Sequence, residues 1–154
     1  NQPDFVDLLS EILEETKLPP SYLEIEITES TLVSSITDAT LLLTTLQNLG
    51  IKISLDDFGT GYSSLNYLTK LPINTLKIDK SFIDNICSNT KDSYISEAII
   101  QLAHSLNIQV VAEGVENTNQ LNILKKQKCD IIQGFIFSEP LHPPALVDVI
   151  SETA

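Results

Sequence analysis

The sequence contains no methionine, only two cysteines and no long apolar segment. The cysteines, Cys87 and Cys129, lack CxxC spacing, so we expect a reduced cytosolic setting in which both pack in the interior. No apolar run approaches the roughly 20 residues of a transmembrane helix, and the N-terminus lacks a signal-peptide pattern. We therefore expect no membrane insertion by this segment. The absence of methionine, also at position 1, suggests an excerpt from a longer protein.

Basic residues are also scarce. Nine lysines and arginines stand against 21 acidic residues, which leaves a net charge of −12. Polymers of DNA or RNA and anionic membranes need a basic protein surface, so this balance excludes them as general partners. The 154 residues, of which 42% are hydrophobic, are enough for one domain with a substantial core.

Hydrophobic periodicity predicts helices that alternate with five short strands. We expect strands at 23–27, 51–55, 75–78, 109–112 and 130–132. We expect helices at about 4–17, 34–49, 63–69, 80–85, 92–106 and 118–126, and a last helix that begins at Pro143. This alternation indicates an α/β fold in which helices cover a parallel sheet.

Polar residues stand at the C-terminal end of every predicted strand. In chain order they are Glu26 and Glu29, Asp56 and Asp57, Lys77 and Asp79, Glu113 and Glu116, and Gln133. An open sheet binds ligands at one switch point, whereas a barrel gathers all its βα-loops around one mouth. We therefore predict the C-terminal five βα units of a TIM-like (β/α)8 barrel. A complete barrel needs about 250 residues, so the barrel is incomplete in this chain.

The acidic pair Asp56-Asp57 is the most informative local feature. It follows an apolar strand and opens a loop that contains Gly59 and Gly61. Acids at the end of a buried strand are costly unless a positive group neutralises them, and a divalent metal ion bound by carboxylate oxygens is the usual solution. Lys77 is a lone cation between two apolar strand residues, which indicates that it points into the same mouth.

Five motifs then resemble one family. They are Glu-Ile-Thr-Glu-Ser at 26–30, Asp-Asp-Phe-Gly-Thr-Gly-Tyr-Ser-Ser-Leu at 56–65, Leu-Lys-Ile-Asp-Lys-Ser-Phe at 76–82, Ala-Glu-Gly-Val-Glu at 112–116 and Gln-Gly-Phe at 133–135. In order and spacing they are similar to the EAL-domain cyclic-di-GMP phosphodiesterases. The resemblance implies that residues 1–154 are the C-terminal portion of a single such domain. It also implies Mg²⁺- or Mn²⁺-dependent hydrolysis of the cyclic dinucleotide to linear pGpG.

The resemblance assigns the acids to a two-metal site. It implies that Asp56 bridges the metal ions, that Asp57 binds the second, that Glu26 binds the first, and that Glu113 lies close to the second. It makes Lys77, Asp57 and Glu113 the catalytic residues, with Lys77 orienting water or balancing phosphate charge. From spacing alone, Glu26 could equally belong to the solvent-facing side of a strand.

Four further residues receive supporting roles from the same resemblance. Glu29 is expected to anchor the glycine loop, while Asp79, Glu116 and Gln133 are expected to contact the substrate or to support the metal-binding residues. The glutamate motif that names the family and a metal-binding asparagine are missing, and we expect both upstream of residue 1.

Two functions remain open for the protein. One is an active phosphodiesterase, of which this piece alone has little or no turnover. The other is a catalytically silent cyclic-di-GMP receptor or protein-interaction module on the same fold. In either case we expect self-association, or association with the missing N-terminal part, because a partial barrel exposes sheet edges. We expect a bacterial cytoplasmic location, and a tether to a membrane sensor outside this chain is left open.

Overall fold

The computed structural model describes residues 4–32, 36–59 and 68–147, which form one five-stranded sheet flanked by helices. The strands are β1 (Glu24–Thr28), β2 (Lys52–Phe58), β3 (Thr75–Ile78), β4 (Gln109–Ala112) and β5 (Ile131–Ile132). All neighbouring pairs are parallel, and the strands lie in the sheet in chain order. A doubly wound sheet reverses its order at a switch point, so this order is that of a barrel wall. Within the described ranges the wall does not close, because β1 and β5 each pair on one side only.

Helices precede the first strand, occupy connections between the strands and follow the last strand. They span Phe5–Thr16, Glu29–Leu32, Ile36–Asn48, Lys80–Asp84, Thr90–Ser105 and Thr118–Lys126, and residues 143–147 are also helical. A 3-10 helix covers Pro20–Tyr22. The helix expected at 63–69 falls mostly outside the described residues. Among the helices that are described, none has the length and apolar character needed to cross a bilayer.

The two faces of the sheet have opposite chemistry. Side chains alternate along a strand, so every second residue faces the helices. On that side six residues of the sheet are fully buried in the core: Ile53, Leu55, Leu76, Ile78, Val110 and Ala112. The other face, which is the inside of the barrel wall, carries acids and Lys77 at its C-terminal end. Helix packing therefore holds the sheet together, and the inner face is left for polar groups.

Two expectations about local structure were wrong. The second strand does not end at Leu55 but continues, with a bulge opposite Lys77, through the acidic pair to Phe58. Glu29 lies directly after the first strand, as expected, and begins the short helix Glu29–Leu32. Cys87 is exposed rather than packed, because its neighbour Ile86 takes the buried position after the helix Lys80–Asp84.

Candidate active site

The acidic pair lies in a bulge of β2. Leu55 pairs with Leu76 and Phe58 with Ile78, so two residues of β2 stand opposite the single residue Lys77. Such an insertion is a β-bulge, and it turns a side chain that would otherwise point to the opposite face. Asp57 has the left-handed φ of 56°, which aspartate tolerates better than most residues. The bulge therefore lets both neighbouring carboxylates serve one site, which a regular strand would not allow.

Lys77 lies at the centre of the acidic face. Its Nζ is 2.9 Å from Glu26 Oε1, 3.3 Å from Asp56 Oδ1 and 2.8 Å from Glu113 Oε1, and its side chain is only 8% exposed. Burial by itself lowers the pKa of Lys77, but hydrogen bonds to Glu113 and Glu26 outweigh it and raise that pKa well above its ordinary value. The ammonium group therefore stays charged at neutral pH. A lysine in this state donates hydrogen bonds and does not act as a general base.

Three carboxylates form a cluster that fits a divalent metal ion. Asp56, Asp57 and Glu113 each offer one oxygen, and these oxygens all lie within 4.8 Å of one another. Carboxylate oxygens are hard ligands of the kind that Mg²⁺ and Mn²⁺ prefer. Glu26 is outside this cluster but contacts the same lysine, and its side chain is 54% exposed. The donor set thus fits a metal ion held by β2 and the end of β4, and Glu26 on β1 is a further carboxylate that contacts Lys77.

The residues with expected supporting roles lie at the same end of the sheet but make other contacts. The Asp79 carboxylate accepts a hydrogen bond from the Ser81 N–H and so caps the helix Lys80–Asp84. Glu116 forms an ion pair with Lys80. Gln133 is exposed, and its backbone pairs with β4. Glu29 is buried. Most of the glycine loop that it is expected to anchor, residues 58–63, lies outside the described part of the chain.

Gln120, a buried polar residue beside the site, was not predicted from the sequence. It belongs to a capping box with Asn117 at the start of the helix Thr118–Lys126, and its side chain also reaches the carbonyl of Ile83. The pattern Asn-x-x-Gln before an apolar run is a helix-start signal and could have identified the cap. Its contact with another helix has no signature in the sequence.

A family model described as "EAL domain" matches residues 1–140. The chain belongs to the EAL domain family. Among its curated relatives is the cyclic di-GMP phosphodiesterase NbdA of Pseudomonas aeruginosa, which is 45% identical over 145 residues. That match covers 94% of this chain but only 18% of NbdA, so the chain spans less than a fifth of that relative.

Solved EAL structures share the fold. The MucR phosphodiesterase of Pseudomonas aeruginosa, in complex with cyclic-di-GMP, superposes with a TM-score of 0.89 at 40% identity. The match covers 94% of this chain and 59% of the MucR chain. Klebsiella pneumoniae BlrP1, in a complex with manganese and cyclic-di-GMP, superposes with a TM-score of 0.84 at 32% identity, over 91% of this chain and 36% of BlrP1. These structures establish the five-stranded sheet as part of a TIM-like barrel, which does not close within the described residues.

Proposed function

We propose that this chain is the C-terminal portion, residues 1–154, of a single EAL domain that hydrolyses cyclic-di-GMP to linear pGpG. The observation that carries the proposal is the bulge in β2, which gathers Asp56 and Asp57 with Glu113 beside a charged lysine. This is a donor set for divalent metal ions in a family whose relatives include cyclic-di-GMP phosphodiesterases. The manganese complex of BlrP1 supports Mn²⁺ or Mg²⁺ as the cofactor here.

The metal-binding roles follow the positions of the acids. Asp56 and Asp57 would hold metal from β2, Glu113 from the end of β4, and Glu26 from β1. Two bound divalent ions would neutralise the phosphate oxygens and supply hydroxide near neutral pH. We propose that the remaining ligands lie upstream of residue 1.

Lys77 is assigned the role of a catalytic hydrogen-bond donor. Its ammonium is fixed by three carboxylates and stays charged. When substrate displaces one of these contacts, an N–H becomes free to donate to a phosphate oxygen or to the attacking water. A fixed donor aimed at developing negative charge stabilises the transition state without reorganisation. Asp79, Glu116 and Gln133 are proposed to line the substrate or to support this group, and Glu29 to anchor the glycine loop at 58–63.

A completed barrel tests the proposal. The βα units that precede the matched region in MucR would be joined to this chain, and hydrolysis of cyclic-di-GMP would be measured with Mn²⁺. We expect the chimera to form pGpG. We expect Asp57→Asn and Glu113→Gln each to lower the rate about a hundredfold or more, because each removes the charge of a ligand. The matched control Glu97→Gln, on the helix Thr90–Ser105, is expected to retain the rate.

Other results would decide between the two functions. A chimera that binds cyclic-di-GMP but leaves it intact, with or without Mn²⁺, would favour the silent receptor. Full activity in both site variants would refute the assigned roles. The 154-residue chain alone is expected to show little or no turnover, and formation of pGpG in molar excess over it would contradict that expectation.

A further inference from the structure

Gln120 connects three backbone groups of two different elements. Its Oε1 accepts hydrogen bonds from the N–H groups of Glu116, at 2.8 Å, and Asn117, at 3.1 Å. Its Nε2 donates to the carbonyl of Ile83, at 3.1 Å, in the helix that follows β3. The residue is only 4% exposed. The capping box needs only the contact with Asn117, so the contacts with Glu116 and Ile83 make Gln120 a cross-link between the turn after β4 and the helix Lys80–Asp84.

The cross-linked turn carries an acid of the site. Glu113 begins the turn 113–116, donates its N–H to the Ile78 carbonyl, and contacts Lys77 through its carboxylate. Gln120 holds the other end of this turn. Between them, a Cβ added to Gly114 would lie 2.4 Å from Lys80 Cγ, so the turn packs directly on the side chain that begins the same helix. The turn is therefore fixed at both ends and packs against the helix Lys80–Asp84.

We propose that Gln120 is a positioning residue that holds the Glu113 carboxylate in place by clamping the turn 113–116 to the helix Lys80–Asp84. Its effect reaches the site through Glu113 and involves no contact with substrate. A side chain that orients a metal-binding group typically changes metal affinity when it is altered, even though it binds no metal itself. The part of the proposal that concerns metal affinity rests on the proposed function.

The variant Gln120→Glu tests the hydrogen bond to Ile83 while it leaves the helix cap in place. A glutamate carboxylate still accepts from the N–H groups of Glu116 and Asn117, so the cap is kept. When ionised it has no hydrogen to donate, and its second oxygen would face the Ile83 carbonyl oxygen in a buried position, which is repulsive. We expect the Glu113 amide to exchange its hydrogen faster in metal-free protein, measured by NMR. We also expect Mn²⁺ affinity, measured by calorimetry on the chain, to fall about tenfold or more.

Gln127 offers a matched control at the other end of the same helix. Its Oε1 accepts from Ser96 Oγ at 3.0 Å, and its Nε2 donates to the Ser93 carbonyl at 2.8 Å, so it too links two helices. Gln127→Glu makes the same chemical change away from the acids. It is expected to lower the unfolding midpoint while Mn²⁺ affinity and exchange at Glu113 stay at wild-type values. Equal effects of the two variants on Glu113 exchange, or none from Gln120→Glu, would overturn the proposal.

Two further measurements keep the outcome decisive. If Gln120→Glu does not fold, exchange in the wild-type chain decides, because the clamp requires protected amides at Glu116 and Asn117. Exchange there at the rate of an unstructured peptide would reject it. A wild-type chain that binds no Mn²⁺ would count only against metal binding by Asp56, Asp57 and Glu113 without the upstream ligands, and Glu113 exchange in metal-free protein would still test Gln120.

Discussion

At the scale of single residues, Lys77 is the counter-charge of the acidic face. Replacing it by methionine would leave Glu26, Asp56 and Glu113 to repel one another. We expect Lys77→Met to lower the free energy of unfolding by about 2 kcal/mol, less than for a fully buried ion pair, because Glu26 is half exposed. Urea denaturation would measure it. Added Mn²⁺ should restore part of the loss, because a bound cation replaces the missing charge.

An exposed lysine on the same strand as the acids provides the control for this prediction. Lys52 is exposed at the start of β2, so Lys52→Met should leave the unfolding free energy nearly unchanged. A stability for Lys77→Met equal to that of the wild type would show that the three contacts contribute nothing.

The acids and the lysine of the site could be predicted from the sequence, whereas their arrangement could not. A strand followed by two acids is visible in one segment, but the bulge depends on how β2 is aligned with β3. One signal was available. Leu55 and Phe58 are both buried in the same core although they are three residues apart, and a regular strand would place them on opposite faces. This break in alternation marks the extra residue that turns Asp57 towards Asp56.

At the scale of elements, the turns after β4 and β5 pack so closely that the backbone of one contacts the backbone of the other. A Cβ at Gly134 would lie 2.2 Å from the Val115 carbonyl oxygen and 2.4 Å from its nitrogen. Both atoms are held, since the Val115 N–H donates to Gln133 and its carbonyl accepts from Ile136. We expect Gly134→Ala to lower the free energy of unfolding by about 3 kcal/mol or more, measured in urea, because backbone must move.

The substitution Gly50→Ala is the control, because it measures the cost of a strained backbone conformation without a steric clash. It has a φ of +91°, but the nearest atom to its added Cβ is Pro20 Cβ at 3.6 Å, which is ordinary contact. Gly50→Ala should therefore cost only about 1–2 kcal/mol. If both substitutions lower the free energy of unfolding equally, the close approach of the two turns adds nothing to the cost of Gly134→Ala.

At the scale of the whole molecule, the barrel was predictable because its evidence is repeated in every unit. Five strands each end in polar residues, and only a continuous barrel wall brings all five ends to one mouth. The contacts that support the mouth were not predictable. Gln120 and Ile83, for example, are 37 residues apart, and their hydrogen bond exists only once β3 and β4 are neighbours. Local patterns identify a strand or a cap, but not its partner across the sheet.

The open wall has a consequence for association. In the described part of the chain β1 and β5 are edge strands, and Phe135 and Phe137 beyond β5 are 57% and 63% exposed. Open edges and exposed aromatic side chains bind other chains. We therefore predict that the 154-residue chain self-associates, measured by size-exclusion chromatography with light scattering over a range of concentrations.

Replacing both Phe135 and Phe137 by serine should weaken this association. Tyr94→Ser, at a 67% exposed position on the helix Thr90–Ser105, should not. A monodisperse monomer with an intact thermal transition would contradict the prediction, because it would show that the edge and the aromatic surface are stable in water without a partner.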